Sequence, residues 1–292
     1  MKRNLPLFGP GGNSESFYAE GFKATLQAPG WVAARGLGAY EYQAGNGLTA
    51  PIATLAKIGA KAREHGISMS LHAPYYISLS GVDPEKRLKS IDYITRSLEA
   101  AEALGADTIV VHTGSAAKIS REEAMALAAD TLEQTLAAIG DRFPDIAIGL
   151  ETMGKRNQLG TLEEVLTLCR IHPRLVPVVD FGHLNAREQG RFFTADDYRA
   201  VFAAIAESAG DEIARNLHCH FSRIEYTDAG EKRHVTFADT AWGPDFAPLA
   251  EVIAADALTP RIICESAGTM AEDAAYMQAL TARAAERCQK GE

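Results

Sequence analysis

Thr108-Ile-Val-Val-His112 is a short apolar run that ends in an imidazole, and Ile146-Ala-Ile-Gly-Leu-Glu151 is another that ends in a carboxylate. Between them, Ser120-Arg-Glu-Glu123 opens an Ala- and Leu-rich stretch that reaches Ile139. Ser120 followed by Glu123 is a helix-start signal, because the hydroxyl and the carboxylate each accept an N–H that the first helical turn leaves unpaired. An apolar strand, an amphipathic helix and a second apolar strand read as one βαβ unit of a parallel sheet covered on both faces.

The same alternation fills the chain. Strands are expected at 5–8, 39–43, 68–72, 108–112, 146–151, 176–180, 216–221 and 261–265. Helices are expected at 121–139, 161–171, 195–209 and 270–287, with Thr161-Leu-Glu-Glu164 as a second capping signal. Eight such units predict a (β/α)8 TIM barrel as a single domain over residues 1–292. An open doubly wound sheet is the rival, but Gly9-Pro-Gly-Gly12 after the first strand does not match GxGxxG.

Composition narrows the setting. The four cysteines (Cys169, Cys219, Cys264, Cys288) form no CxxC pair, which excludes a disulfide scaffold or a Cys-rich zinc finger and fits a reduced, cytoplasmic environment. No apolar run approaches the ~18 residues of a membrane span, and the first residues lack the pattern of a leader peptide. A monomer with no membrane partner is expected. The net charge of −9 opposes a protein that coats nucleic acid through a basic face. Carboxylates that bind cations are neutralised locally, so this weakens a nucleic-acid reading without closing it.

The informative feature is how the strands end. Six in succession finish on a polar residue after apolar ones: His72, His112, Glu151, Asp180, His220 and Glu265. In an α/β barrel these ends open on one face, the face that carries chemistry. A lone strand-terminal His is more often a satisfied residue, and a lone Asp or Glu usually caps the next helix. Six in register point jointly to a metal centre, since clustered carboxylates and imidazoles in an apolar mouth need something to offset their cost. Mixed nitrogen and oxygen donors suit zinc, manganese or iron better than magnesium. His183, in Asp180-Phe-Gly-His183, and His234, in the loop after strand seven, can join the set. His218 lies one layer deeper than His220, while His65 and His172 sit near helix ends away from the mouth.

The segments Leu71-His-Ala-Pro-Tyr75, Val111-His-Thr-Gly-Ser115, Leu150-Glu151, Asp180-Phe-Gly-His183, His220-Phe-Ser222, Arg233-His234 and Cys264-Glu265-Ser266 stand in a specific order. Taken together they resemble the endonuclease IV family of apurinic/apyrimidinic endonucleases, within the xylose isomerase-like barrels. The resemblance implies cleavage of the phosphodiester 5′ to an abasic site in damaged duplex DNA, with two or three zinc ions as cofactor. It implies that His72, His112 and Glu151 hold one metal, that Glu151 bridges to a second held by Asp180, His220 and Glu265, and that His183 and His234 serve a third. Glu151 would also orient the attacking water as the catalytic residue. Tyr75 stands where a DNA-contacting Tyr is expected.

The chain departs from the family pattern at informative places. Lys232 occupies the position of an Asp that, in the family, helps to hold the third metal, so the third site is expected to be weaker, filled by Glu231 or Asp228 from the same loop, or absent. Ser222-Arg223 replaces Asn-Asp, and the loop Ala44-Gly-Asn-Gly-Leu48 lacks the Arg that enters damaged DNA. Loop cations still gather on this face: Lys155, Arg156, Arg187, Arg191, Arg223, Lys232 and Arg233, of which Arg223, Lys232 and Arg233 are expected to bind substrate. The alternative is a mononuclear-metal sugar or sugar-phosphate isomerase or epimerase built on Glu151, Asp180, His220 and Glu265. His72 and His112 speak against it, because a single metal does not need them. A non-enzymatic metal-binding module is the third reading.

Overall fold

The computed structural model describes residues 3–290. Eight parallel strands form the central sheet: β1 (Leu7–Pro10), β2 (Ala39–Gln43), β3 (Ser68–His72), β4 (Thr108–His112), β5 (Ala147–Glu151), β6 (Leu175–Asp180), β7 (His218–Phe221) and β10 (Arg261–Cys264). Their spatial order is β1-β10-β7-β6-β5-β4-β3-β2. The sheet curls into a TIM barrel: Gly38 N–H donates to Phe8 O and Gly12 N–H to Glu41 O across the β1/β2 seam. Gly9 is required there, because a Cβ on it would lie 1.7 Å from the Ala39 carbonyl oxygen.

Helices cover the outside for the reasons legible in the sequence. Ser120 accepts the Glu123 N–H and Glu123 reaches back to Ser120 N–H, starting Arg121–Ile139; Thr161 and Glu164 do the same for Leu162–Cys169. Their apolar faces pack on the strands in one continuous core. Strand bounds differ from the expected ones by a residue or two: β1 begins at Leu7 rather than at residue 5, and Glu265 lies just past β10. The segment after β7 is not a loop. It is an antiparallel hairpin, β8 (Arg223–Thr227) with β9 (Gly230–Val235). Among the described residues no helix is long and apolar enough to cross a membrane.

Inside the barrel, strand parity stacks side chains in layers. Glu41 pairs in register with Ser70, and His218 with Arg261, one layer below the mouth. Arg261 is fully buried. Its Nη2 donates to Asp107 Oδ1 (2.7 Å) and Thr108 Oγ1 (3.1 Å), and its Nη1 to Ser68 Oγ (2.9 Å) and Met69 O (3.1 Å). Burial alone would raise the Asp107 pKa, but the Arg261 guanidinium more than reverses this and lowers it to about 2. A folded pKa below the unfolded value of ~3.9 gives stability present above that pH and lost as pH falls towards 2. Asp107→Asn is therefore expected to lose on the order of 2 kcal/mol at neutral pH. Urea unfolding should also show a shallower fall in stability between pH 4 and 2 than in the parent; equal acid sensitivity would contradict the pairing.

Candidate metal centre

Glu151 ends β5 at the centre of the mouth and is fully buried. His112 is its register neighbour on β4, and Asp180 on β6 pairs in the same way with His220 on β7. Glu151 Oε2 lies 3.4 Å from His72 Nε2 and 3.3 Å from His112 Nε2, yet it has no hydrogen-bond partner. His72 Nδ1 is 2.8 Å from Ala73 O, an acceptor, so Nδ1 carries a proton and Nε2 is the nitrogen turned towards Glu151.

A second group shares Glu151. His220 Nδ1 is 3.0 Å from Glu151 Oε1 and 3.6 Å from Glu265 Oε2. Asp180 caps the short helix Phe181–Arg187: its Oδ1 accepts the His183 N–H at 2.7 Å, while its buried Oδ2 has no partner. Donor atoms of Glu151, Asp180, His220 and Glu265 lie within 4.8 Å of one another, as do those of His72, His112 and Glu151.

The third group comes from the hairpin. Donor atoms of His183, Glu231 and His234 also fall within 4.8 Å of one another. His183 Nδ1 faces Thr152 O (2.9 Å) and His234 Nδ1 faces Ser222 Oγ (2.8 Å), which leaves both Nε2 atoms for the cavity. A β-bulge decides which carboxylate joins them. Arg233 pairs with Glu225, but Tyr226 pairs with Glu231, so Lys232 is the extra residue. Simple alternation would turn Lys232 to the side of His234; the bulge turns Glu231 there instead. Backbone bonds seat the hairpin, Glu231 N–H to Gly154 O (3.1 Å) and Arg156 N–H to Ala229 O (3.0 Å). Gly230, at φ +92°, permits the approach, since a Cβ would meet Gly154 O at 2.2 Å.

A cavity of about 200 Å³ opens over these groups, lined by His72, His112, Glu151, His183, Glu231, His234 and Glu265 together with Gln43, Tyr75 and Lys155. The other expected cations are engaged elsewhere. Lys232 and Arg233 both bond to Glu225 at 2.6 Å on the exposed side of the hairpin, and Arg223 pairs with Asp245 at 3.1 Å. The expectation that these three bind substrate therefore has no support in their placement. Arg187 is buried and donates to the carbonyls of Met153, Lys155, Arg156 and Gln158, ordering that loop rather than meeting a ligand. Lys155 lines the cavity.

The electrostatics demand positive charge. Burial would lower the pKa of His72, but Glu151, Glu41 and Glu265 raise it to about 9. Burial is likewise outweighed at His220 by Glu265, Glu41 and Glu151, and at His183 by Asp180, Glu151 and Glu231, so both stand well above the usual imidazole range. Burial would raise Glu151, yet His220, His112 and His183 hold it well below the carboxylate range. Protons on the imidazoles are one answer to this negative charge; divalent cations between the same atoms are the other.

One buried member of this neighbourhood escapes a reading of strand ends. Glu41 sits in the middle of β2, fully buried, with Oε1 3.0 Å from His220 Nε2. The signal for it is parity: Glu41 shares the interior face of β2 with Gln43, as Ser70 does with His72 and His218 with His220. A charged residue at such a position, between Tyr40 and Tyr42, has no apolar reason to be there.

A model of the xylose isomerase-like TIM barrel family matches residues 30–282. The chain belongs to this family. It is 27% identical over 208 residues to an uncharacterised protein of Methanocaldococcus jannaschii, covering 70% of this chain and 75% of that one. It is 34% identical over 178 residues to a probable endonuclease 4 of Shouchella clausii, covering 59% and 58% respectively. The alignment to that relative therefore spans less than two thirds of its length, and the alignment to a probable endonuclease 4 of Mycoplasma pneumoniae, at 63%, does the same. Among solved structures, endonuclease IV from Thermus thermophilus superposes with a TM-score of 0.70 at 19% identity, covering 98% of this chain and 100% of that one. A D-tagatose 3-epimerase-like protein gives a TM-score of 0.65, also at 19% identity, covering 87% and 91%. Likeness at this identity establishes the shared barrel.

The bulge generates a test of the third donor group. Lys232→Asp, which would place a carboxylate two residues before His234, is expected to leave retention of divalent metal within about twofold, because the Lys232 side chain bonds to Glu225 on the exposed side of the hairpin. Glu231→Gln is expected to speed loss of metal to a chelator by about tenfold or more. Tighter retention in Lys232→Asp would mean that residue 232, not Glu231, faces the cavity.

Proposed function

We propose that the chain is a metal-dependent phosphodiesterase of the endonuclease IV type, cleaving the DNA backbone on the 5′ side of an abasic site. The observation that carries this reading is the convergence of three donor groups on one barrel mouth: His72–His112–Glu151, Glu151–Asp180–His220–Glu265 and His183–Glu231–His234. The residues fit metal. Glu151 Oε2 and Asp180 Oδ2 are buried without hydrogen bonds, a costly arrangement for anionic oxygens unless a cation meets them. Four of the five histidines in these groups have one ring nitrogen held by, or close to, a neighbouring oxygen and another nitrogen facing the group, as metal-binding imidazoles do. Mixed imidazole and carboxylate donors suit zinc, with manganese and iron as alternatives.

Cations held there would polarise a phosphodiester and make a water nucleophilic near neutral pH. The chain's own residues do the rest. Glu151, shared by two groups, orients the attacking water and accepts its hydrogen bond. Lys155, a residue of the cavity wall, offsets phosphate charge without coordinating it. Tyr75, 58% exposed at the rim and donating to Asn46 Oδ1 at 3.1 Å, offers a ring face to an unstacked sugar or base.

The sugar epimerase reading has one specific observation in its favour. Glu151, Asp180, His220 and Glu265 alone make a four-donor group under a cavity of about 200 Å³, which is sized for a small substrate. The extra donors His72, His112, His183, Glu231 and His234 favour the phosphodiesterase.

Metal-loaded protein is expected to nick a duplex carrying one abasic analogue at low salt, leaving a 3′ hydroxyl that a polymerase extends. No nicking, with interconversion of ketoses or their phosphates, would decide for the epimerase. Glu151→Gln should fold and lose on the order of 10²–10⁴-fold in rate. Lys155→Ala should raise KM for the nicked duplex by about tenfold while kcat changes less, since its charge acts on bound phosphate.

A further inference from the structure

Below the mouth a line of buried polar groups runs through the barrel towards its floor. Arg261 Nε donates to His218 Nδ1 at 2.8 Å. A guanidinium is always a donor, so His218 Nδ1 accepts and its proton sits on Nε2. That proton points at Glu41 Oε2, 3.0 Å away, which also accepts from Ser70 Oγ at 2.9 Å. The tautomer removes His218 from any set of metal ligands, although Glu41, His218 and His220 lie close enough to look like one. Glu41 is thus pinned from below, with its other oxygen, Oε1, 3.0 Å from His220 Nε2, an ion-pair contact whose geometry falls short of a hydrogen bond; the hydrogen-bonded nitrogen of His220 is Nδ1, 3.0 Å from Glu151 Oε1.

We propose that Glu41 is a positioning residue for the metal centre: its anionic Oε1, 3.0 Å from His220 Nε2, keeps that edge of the imidazole towards β2, so that Nδ1, which faces Glu151 and Glu265, is the nitrogen left to coordinate, with the proton moving to Nε2 when a cation takes Nδ1. A neutral imidazole carries one N–H, and the carboxylate that takes it decides which nitrogen is left to coordinate. Glu41 accepts on both oxygens, from Ser70 and His218 on one and from Gln43 Nε2 (3.3 Å) on the other. Glutamine at position 41 keeps the shape, but its amide presents N–H to one of these donors. It also deletes an anion within contact of His220. The inference rests on the metal-centre reading above, and its experiment separates the two.

Wild type, Glu41→Gln and Glu41→Asp are loaded with zinc, and transfer of the ion to a chelator is timed; the visible spectra of their cobalt(II) forms are compared. Glu41→Gln is expected to release metal ~10- to 100-fold faster and to shift the cobalt bands, because His220 no longer presents one fixed nitrogen. Glu41→Asp, which keeps the charge, should restore part of the retention. If Glu41→Gln does not fold, Glu41→Asp is read alone, with release faster than wild type expected. A lowered melting temperature with unmoved cobalt bands would overturn the positioning role in favour of stability alone. Wild-type release and spectra in both variants would overturn the role of Glu41 and leave the metal centre standing. Failure of wild type itself to bind zinc or cobalt would overturn the metal reading and this inference with it.

Discussion

Three carboxylates with no exposure to water, Glu41, Glu151 and Asp180, sit within one barrel mouth. Burying anions this close together is among the costliest arrangements a fold can keep, unless positive charge and hydrogen bonds answer each one. The surrounding structure supplies those answers in order. Histidines ring Glu151, the N-terminus of the Phe181–Arg187 helix receives one oxygen of Asp180, and His218 and Ser70 hold Glu41. The elements around the mouth are arranged to keep these partners within hydrogen-bonding reach, and the chemistry proposed for the site follows from what remains unmet.

The barrel shell and the mouth differ in how they are specified. Helix caps, apolar strands and the seam at Gly9 concern local geometry and packing. The mouth depends on which way individual imidazoles and carboxylates face, and that is set by partners far apart in sequence, such as Thr152 O for His183 and Ser222 for His234. A substitution at one of these partners leaves the shell intact while turning a donor atom away.

The barrel is legible in the sequence because continuous apolar strands and capped helices alternate, and both are local signals. Polar strand ends are legible for the same reason, and the structure gathers all six at one face. Three things are not. Glu41 lies mid-strand, where its meaning depends on interior parity rather than on position along the chain. The β8/β9 hairpin carries alternating residues around Thr227-Asp-Ala-Gly230, a turn signal obscured by its many charges. The partners of Arg187, Arg223, Lys232 and Arg233 cannot be read, because a loop cation reveals its acceptor only when the fold brings the two together.

The bulge at Lys232 bears on how such chains are compared with one another. The hairpin is tied to the loop after β5 by main-chain bonds, which do not depend on side-chain identity. One inserted residue can therefore slide along β9 and hand the inward position to a neighbour while the hairpin stays where it is. Counted along the chain, Lys232 stands two residues before His234, where alternation would turn a side chain to the cavity; in space, Glu231 takes that place. Homology between sites of this kind is a relation between positions in the mouth, and letters in an alignment track it only up to the nearest bulge.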